Sequence, residues 1–276
     1  MKLLNIIKTI VVLFICSSIV CGQSFYSFQR ESNITLTTGI GISKYFGELS
    51  NDRSLGDFNP AISIGTEVSL LPKVSLRGEL LYYRISATDS DLPDNDSRKN
   101  RNLSFRSNNL EVNLQAVFPF LKPSYSSRES SKVQPYVVGG IGVTFINPQA
   151  ELNGRWYYLK ELKTEGVDYS NFVLVIPAGA GISHRIQRNL TLSVEFNYRF
   201  TLSDYLDDVS TTYLPIESFI DPIAAQLSDR RPEIGFESAE PGSIRGNSGN
   251  NDGYFIMSLR AKWSISGQNT PIRRNR

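Results

Sequence analysis

From residue 34 onward the chain alternates apolar and polar residues with a period of two, again and again. Ile34, Leu36, Ile40 and Ile42 alternate with Thr35, Thr37, Gly39, Gly41 and Ser43, and Ile62, Ile64, Val68 and Leu70 with Ser63, Gly65, Glu67 and Ser69. Similar runs start at Val74, Leu110, Val137, Phe172, Leu190 and Phe255. A period of two places alternate side chains on opposite faces of a strand. The pattern predicts about eight strands, most of ten or more residues. Globular strands usually have about five or six residues, whereas a tilted strand crossing a bilayer needs about nine to eleven. The expected fold is all-β: an eight-stranded antiparallel transmembrane (outer-membrane) β-barrel with long outer loops. A soluble lipocalin-like barrel has the same period with its apolar face inward. A ligand cavity of that kind would not be lined with the charges these strands carry.

The connections alternate in length, as in outer-membrane barrels. Residues 47–59, 86–103, 147–170 and 201–252 form long loops; 71–73, 121–134 and 184–189 form short turns. An even strand number would put both termini in the periplasm. Aromatic residues gather near strand ends (Tyr45, Phe46, Tyr82, Tyr83, Phe118, Phe120, Tyr136, Phe145, Tyr198, Phe200 and Trp263), as in interfacial girdles. On the polar faces lie Glu67, Arg77, Glu79, Glu111, Glu195, Arg199, Arg260 and Lys262, four acids and four bases. An eight-stranded barrel is just wide enough to be filled by side chains. These eight are expected to pair inside it and plug it.

The N-terminus reads as an export signal. Lys2 and Lys8 precede or flank an apolar run through Ile10–Cys16, and small residues follow. The expected division is a signal peptide at 1–22, the barrel at 23–265 and a basic periplasmic tail at 266–276. Cys21 admits a lipoprotein, but it follows Val20 where a small residue is usual. Both cysteines fall in the signal segment, so the mature chain is expected to hold no disulfide and no cysteine-bound metal. Lys2 and Lys8 also account for the net charge of +2. The remainder is balanced and carries no nucleic-acid signature. Charge is sorted by side. The loop at 201–252 has ten acids and three bases, while the short turns and the tail have nine bases and one acid, Glu129. A basic periplasmic rim suits solubility and orientation, or a partner docked by charge.

The candidate chemistry lies in the longest loop. SDYLDDVSTTY (203–213) holds Asp204, Tyr205, Asp207 and Asp208; the loop closes on Arg245, Asn247 and Asp252. As a catalytic pair Asp207 and Asp208 are poor, since neighbours on an extended backbone point apart. The spacing does not match an EF-hand, which leaves a structural cation as a minor reading. The expected role is to cap the barrel mouth, with an aspartate paired to Arg245 or Arg230. Asp221-Pro222 predicts an N-cap with proline at the first position of a short helix that runs through 223–227 and ends near Arg230-Arg231. His184 is expected in a short turn across the bilayer from these aspartates, which denies them a triad partner. Gly139-Gly140-Ile141-Gly142 lies within a strand and opens no helix, so it is not a dinucleotide fingerprint. No catalytic, cofactor or metal residues are assigned.

Six stretches resemble one family: Tyr45-Phe46-Gly47-Glu48-Leu49, Asn100–Ser107, Asn147-Pro148-Gln149-Ala150, Leu162–Gly166, Asp204–Ser210 and Arg245-Gly246-Asn247-Ser248. Together they resemble PorG-like outer-membrane barrels of the Bacteroidota type IX secretion system and relatives of unassigned function. The resemblance implies a noncatalytic part of a protein-transport apparatus. It would sit in outer-membrane lipid and link that membrane to a periplasmic ring of a PorK-like lipoprotein and a PorN-like protein. The alternative reading is a small porin-like channel.

Overall fold

The computed structural model describes residues 34–50, 57–71, 73–121, 133–187 and 189–265. The expected signal peptide and basic tail lie outside them. Ten strands run β1 Ile34–Phe46, β2 Asn59–Leu71, β3 Val74–Thr88, β4 Ser104–Pro119, β5 Val133–Phe145, β6 Pro148–Leu152, β7 Arg155–Tyr158, β8 Phe172–Arg185, β9 Leu190–Thr201 and β10 Gly253–Ile265. Eight of them close a barrel in the order β1-β2-β3-β4-β5-β8-β9-β10, with β10 returning to β1. Every pairing is antiparallel, and the closing register matches Ile34 to Ile265 and Phe46 to Gly253. Closure leaves no unpaired edge, a requirement for strands in hydrocarbon.

The apolar face points outward. Ile40 is 63% exposed, Ile141 68% and Leu174 58%, while residues of the opposite phase on the same strands, such as Thr37, Val138, Val173 and Val175, are buried. Ile62, Ile64, Val112, Leu114, Ile176, Phe196 and Leu259 extend the belt around the wall. So large an apolar surface is incompatible with water and suits a bilayer. The fold is a closed eight-stranded membrane barrel. The aromatic girdle needs a correction: Tyr45, Tyr83 and Tyr136 are buried and face inward. Tyr82, Phe118, Phe120, Phe145, Phe200 and Trp263 remain on the outer face.

β3 and β4 are longer than the alternation suggested, because Ser86, Thr88, Ser104 and Arg106 interrupt the outward apolar row. Past Tyr83, β3 pairs with β4 alone as far as Thr88↔Ser104. On this extension β4 also pairs with β6, and β6 with β7. The 147–170 connection is therefore a β-hairpin followed by α1, Leu159–Leu162. Its turn is Asn153-Gly154, both at positive φ (53° and 76°), the geometry that favours Asn-Gly in two-residue hairpins. In the longest loop α2, Pro222–Ser228, starts where expected, the Asp221 carboxylate accepting from the Ile223 amide at 2.8 Å.

His184 is corrected too. It lies within β8, paired with Leu192 and Val133, and not in a turn. It stands near the turn end of the barrel, opposite the loops, as expected of a residue that cannot meet the loop aspartates.

Candidate functional site

The interior is layered. The middle layer is ionic. Arg77 meets Glu195 with two guanidinium nitrogens, at 2.8 and 2.9 Å, and donates to Gln115 at 2.8 Å. Arg260 donates to Glu79 and lies 3.3 Å from Glu195. Arg199 is 3.5 Å from Glu111 and 3.8 Å from Glu79. Lys262 reaches Glu67 at 2.8 Å. All eight lumen charges thus take part in ion pairs. Tyr136 adds a bond to Glu195 at 2.9 Å and Tyr254 one to Glu111 at 2.5 Å.

Toward the loop end the interior turns apolar. Leu81, Tyr83, Ile85, Phe105, Val175 and Ile256 point in from the strands and pack with Leu49, Ile146, Leu206, Val209 and Leu227 from the loops. This second core departs from the polar inward face that the alternation predicts along whole strands. Its signal was present: Leu80-Leu81-Tyr82-Tyr83 and Phe172-Val173-Leu174-Val175 break the alternation with apolar residues on both faces.

Above that core the loops meet in a polar cap. Its hub is Glu165, which accepts from the Ser210 and Thr211 amides at 3.0 and 2.9 Å and from the Thr211 hydroxyl at 2.7 Å. Glu165 also pairs with Arg245 at 2.8 Å, both side chains only 2% exposed. The expected aspartate–Arg245 ion pair is therefore corrected. Arg245 meets Asp208 through its backbone carbonyl, at 2.7 Å, and gives its charge to Glu165 from a different loop. Arg230 pairs locally with Glu233. The Asp208 carboxylate instead accepts from Tyr169, at 2.7 Å, and from Thr164. Asp208 sits at φ 69°, a conformation that Asp and Asn tolerate better than most residues. Tyr205 stacks on Tyr169 with centroids 4.7 Å apart. Asn247 is exposed and turns the chain, accepting from the Gly249 amide at 3.2 Å. Gly246 packs so tightly on Ser210 that a β-carbon would lie 2.6 Å from its amide nitrogen, so glycine is required there.

A second group of acids surrounds Tyr45. Its hydroxyl lies 2.7 Å from Asp207 and 2.5 Å from Asp252. A phenol has one proton to donate. With the phenol neutral, it donates to one carboxylate and accepts from the other, which must then be protonated. Burial pushes both acids well above the ordinary carboxylate range, and the neighbouring charge of Glu48 adds to it. The remaining Asp252 oxygen accepts from the Leu206 amide at 2.9 Å, and Asp207 accepts from the Val209 amide at 2.9 Å. Gly47 lets Tyr45 and Asp252 approach: a β-carbon there would fall 2.0 Å from the Asp252 carboxylate. From the second loop, buried Asp89 holds Arg101 at 2.7 Å, and Arg101 reaches across to the Arg245 carbonyl at 2.6 Å. Sequence reasoning missed Asp89. Glu165 stands out in the sequence only as part of a family-like stretch, since neither residue has a short-range partner pattern.

The cap has a pH dependence of defined sign. Burial raises Asp208 to about 6, against the pull of Arg245, Thr164 and Tyr169 and with Glu165 adding like charge. A carboxyl raised in the fold favours folding when protonated. Its contribution is full below about pH 4 and is lost as pH rises through about 6, a change of at most about 3 kcal/mol. The 202–252 loop should therefore resist added protease better at pH 5 than at pH 7.5. Asp208→Asn, which keeps the backbone preference, should reduce that difference; an undiminished difference would remove Asp208 as its source.

Fold and cap together define the class: a membrane-spanning eight-stranded barrel with a filled lumen and one end closed by interlocked loops. Within that class the chain belongs to the family described as a domain of unknown function (DUF6089), whose match spans residues 10–217. No curated protein matches the sequence. Among solved structures it is similar to the neisserial surface protein NspA at 12% identity, with a TM-score of 0.41, covering 84% of this chain and 97% of that one. It is also similar to Ail of Yersinia pestis, solved with the heparin analogue sucrose octasulfate, at 11% identity and a TM-score of 0.41 over 86% of this chain and all of that one (100%). OprG of Pseudomonas aeruginosa is similar at 7% identity, with a TM-score of 0.39 over 86% and 98% of the two chains.

Proposed function

We propose that this chain is a noncatalytic outer-membrane component of a type IX secretion apparatus, a PorG-like barrel that ties the membrane to a periplasmic ring. The observation that supports this reading is where the family-like stretches go. Tyr45 and Glu48, Arg101, Thr164 and Glu165, Asp204–Ser210, and Arg245 with Gly246 are scattered along the sequence, yet all help to build one buried cap. Residues held by one another in this way are suited to fix a rigid shape. A lumen filled with paired charges weighs against a channel as the principal role. On this reading the work is done by surfaces: the apolar belt in outer-membrane lipid and the basic turn end toward the periplasm, where both termini lie. The partners are a PorK-like lipoprotein and a PorN-like protein.

Affinity capture of the tagged protein from gently solubilised membranes should recover those ring proteins, and a deletion strain should lose secretion. Normal secretion in the deletion strain, with no ring protein captured, would refute the proposal. Planar-bilayer recording of the purified protein should show no stable conductance; a sizeable, reproducible one would favour the channel.

A further inference from the structure

Three acids from three parts of the chain meet beneath the loop cap: Glu48 after β1, Asp204 after β9 and Asp252 just before β10. Carboxylate oxygens of the three all lie within 4.8 Å of one another. Proximity of acids alone would be explained by shared protons. The second observation is the state of their oxygens. Asp204 is 8% exposed, yet neither of its carboxylate oxygens has a hydrogen-bond partner among the described residues. One oxygen of Glu48 is likewise buried without one. Buried carboxylates almost always find donors, and an unpaired one is costly. Here both oxygens of Asp204 and one of Glu48, from separate loops, lie close to Asp252 without the donors that Asp207 and Asp252 have.

We propose that Glu48, Asp204 and Asp252 form a binding site for a divalent cation, most suitably calcium, which locks the cap shut. The donor set is all oxygen and anionic, with no sulfur or imidazole, and so selects a hard cation. Calcium accepts six to eight oxygens in irregular arrangement, whereas magnesium demands a near-ideal octahedron and keeps its waters. The remaining ligands are at hand. Glu48 also lines a cavity of about 910 Å³ together with Ser50, Asn247, Asn250 and Asn251, which gives water a route to the site and offers neutral oxygens. Three acids have greater negative charge than one cation needs, and Arg101, set beside Glu48, tempers the excess. The site would bind the first loop to both ends of the longest one. It rests on the cap alone and not on the secretion reading.

Purified barrel, stripped with chelator and desalted at pH 7.5, is titrated with calcium chloride in a calorimeter, with magnesium chloride and sodium chloride at matched ionic strength as comparators. In parallel, the rate of protease cleavage within 202–252 is followed. Calcium should bind with a stoichiometry near one and slow cleavage at least tenfold; magnesium should do so less, and sodium chloride not at all. Asp204→Asn and Glu48→Gln should each abolish both effects. Asp168→Asn, which alters an exposed acid outside the cluster, should retain them. Heat-dependent mobility on gels checks that each variant still forms the barrel. Absence of calcium binding to the wild type, or binding and protection that survive Asp204→Asn, would overturn the proposal. So would a loop that sodium chloride protects equally well, since the cluster would then be held by protons and screening.

Discussion

Glu165→Ala is expected to open the cap while leaving the barrel folded. The substitution strands Arg245, which is 2% exposed and whose other partners are the carbonyls of Asp208 and Ser228. It also removes the acceptor of the buried Ser210 amide and of the half-buried Thr211 amide. Removing one partner of a buried ion pair costs about 3–5 kcal/mol, because the other charge remains buried without compensation. That is enough to convert a closed loop into one that is largely open. Protease should then cut within 202–252, and heat-dependent mobility on gels should be little changed, since the strand ladders share none of these bonds. Glu165→Gln, which keeps an acceptor and loses the charge, should fall between. Removing both charges with Glu165→Ala and Arg245→Met should recover part of the protection. Equal cleavage of wild type and Glu165→Ala would show that the pair does not hold the cap.

What the sequence revealed, and what it hid, follows from the range of the interactions concerned. A period of two is a local signal, and it located every barrel strand and its outward face. The lumen charges were legible for the same reason: Arg77, Glu79, Glu195 and Arg199 occupy the inward phase of strands whose opposite phase is apolar. Their partners were legible only as a balanced set, since which acid meets which base depends on strand stagger around the barrel. Arg77 and Glu195 are 118 residues apart and lie on strands that are not neighbours. The cap was partly legible. Loop length and turn residues placed Asp204, Asp207, Asp208, Arg245 and Asp252 at one end, and Asp221 capped its helix as read. The choice of Glu165 over an aspartate as the partner of Arg245 was invisible, because Glu165 comes from the third loop and pairs across 80 residues. The upper apolar core was hidden by the same periodic reading that found the strands. Leu81, Tyr83 and Val175 break the alternation, and the break marks where the interior stops being a charged plug and starts packing against loops.

Arg77→Ala should be the most damaging single change in the barrel wall. Arg77 and Glu195 are both fully buried (0% exposed), joined by two short bonds, and Glu195 lies against Arg260 and Tyr136 as well. Losing Arg77 leaves Gln115 and Glu195 each short of a donor and tips the local balance toward negative charge. The expected cost is again about 3–5 kcal/mol. For a chain of this size that corresponds to a fall of roughly 10 °C in the midpoint of heat-induced unfolding, read as the change from fast to slow gel mobility. Arg77→Lys should be intermediate, since an ammonium cannot match the carboxylate with two parallel bonds. The informative comparison is the apolar double replacement Arg77→Met with Glu195→Leu. Both desolvation penalties vanish with the charges, and well-packed apolar substitutes for a buried pair are often neutral or stabilising. The double variant should therefore unfold near the wild-type temperature although it lacks this two-bonded pair in the lumen. That outcome would mean the pair sets the register and the filling of the barrel more than its net stability. If the double variant instead unfolds as early as Arg77→Ala, the remaining contacts of Arg260 and Tyr136 depend on Glu195, and the lumen charges act as one cooperative network.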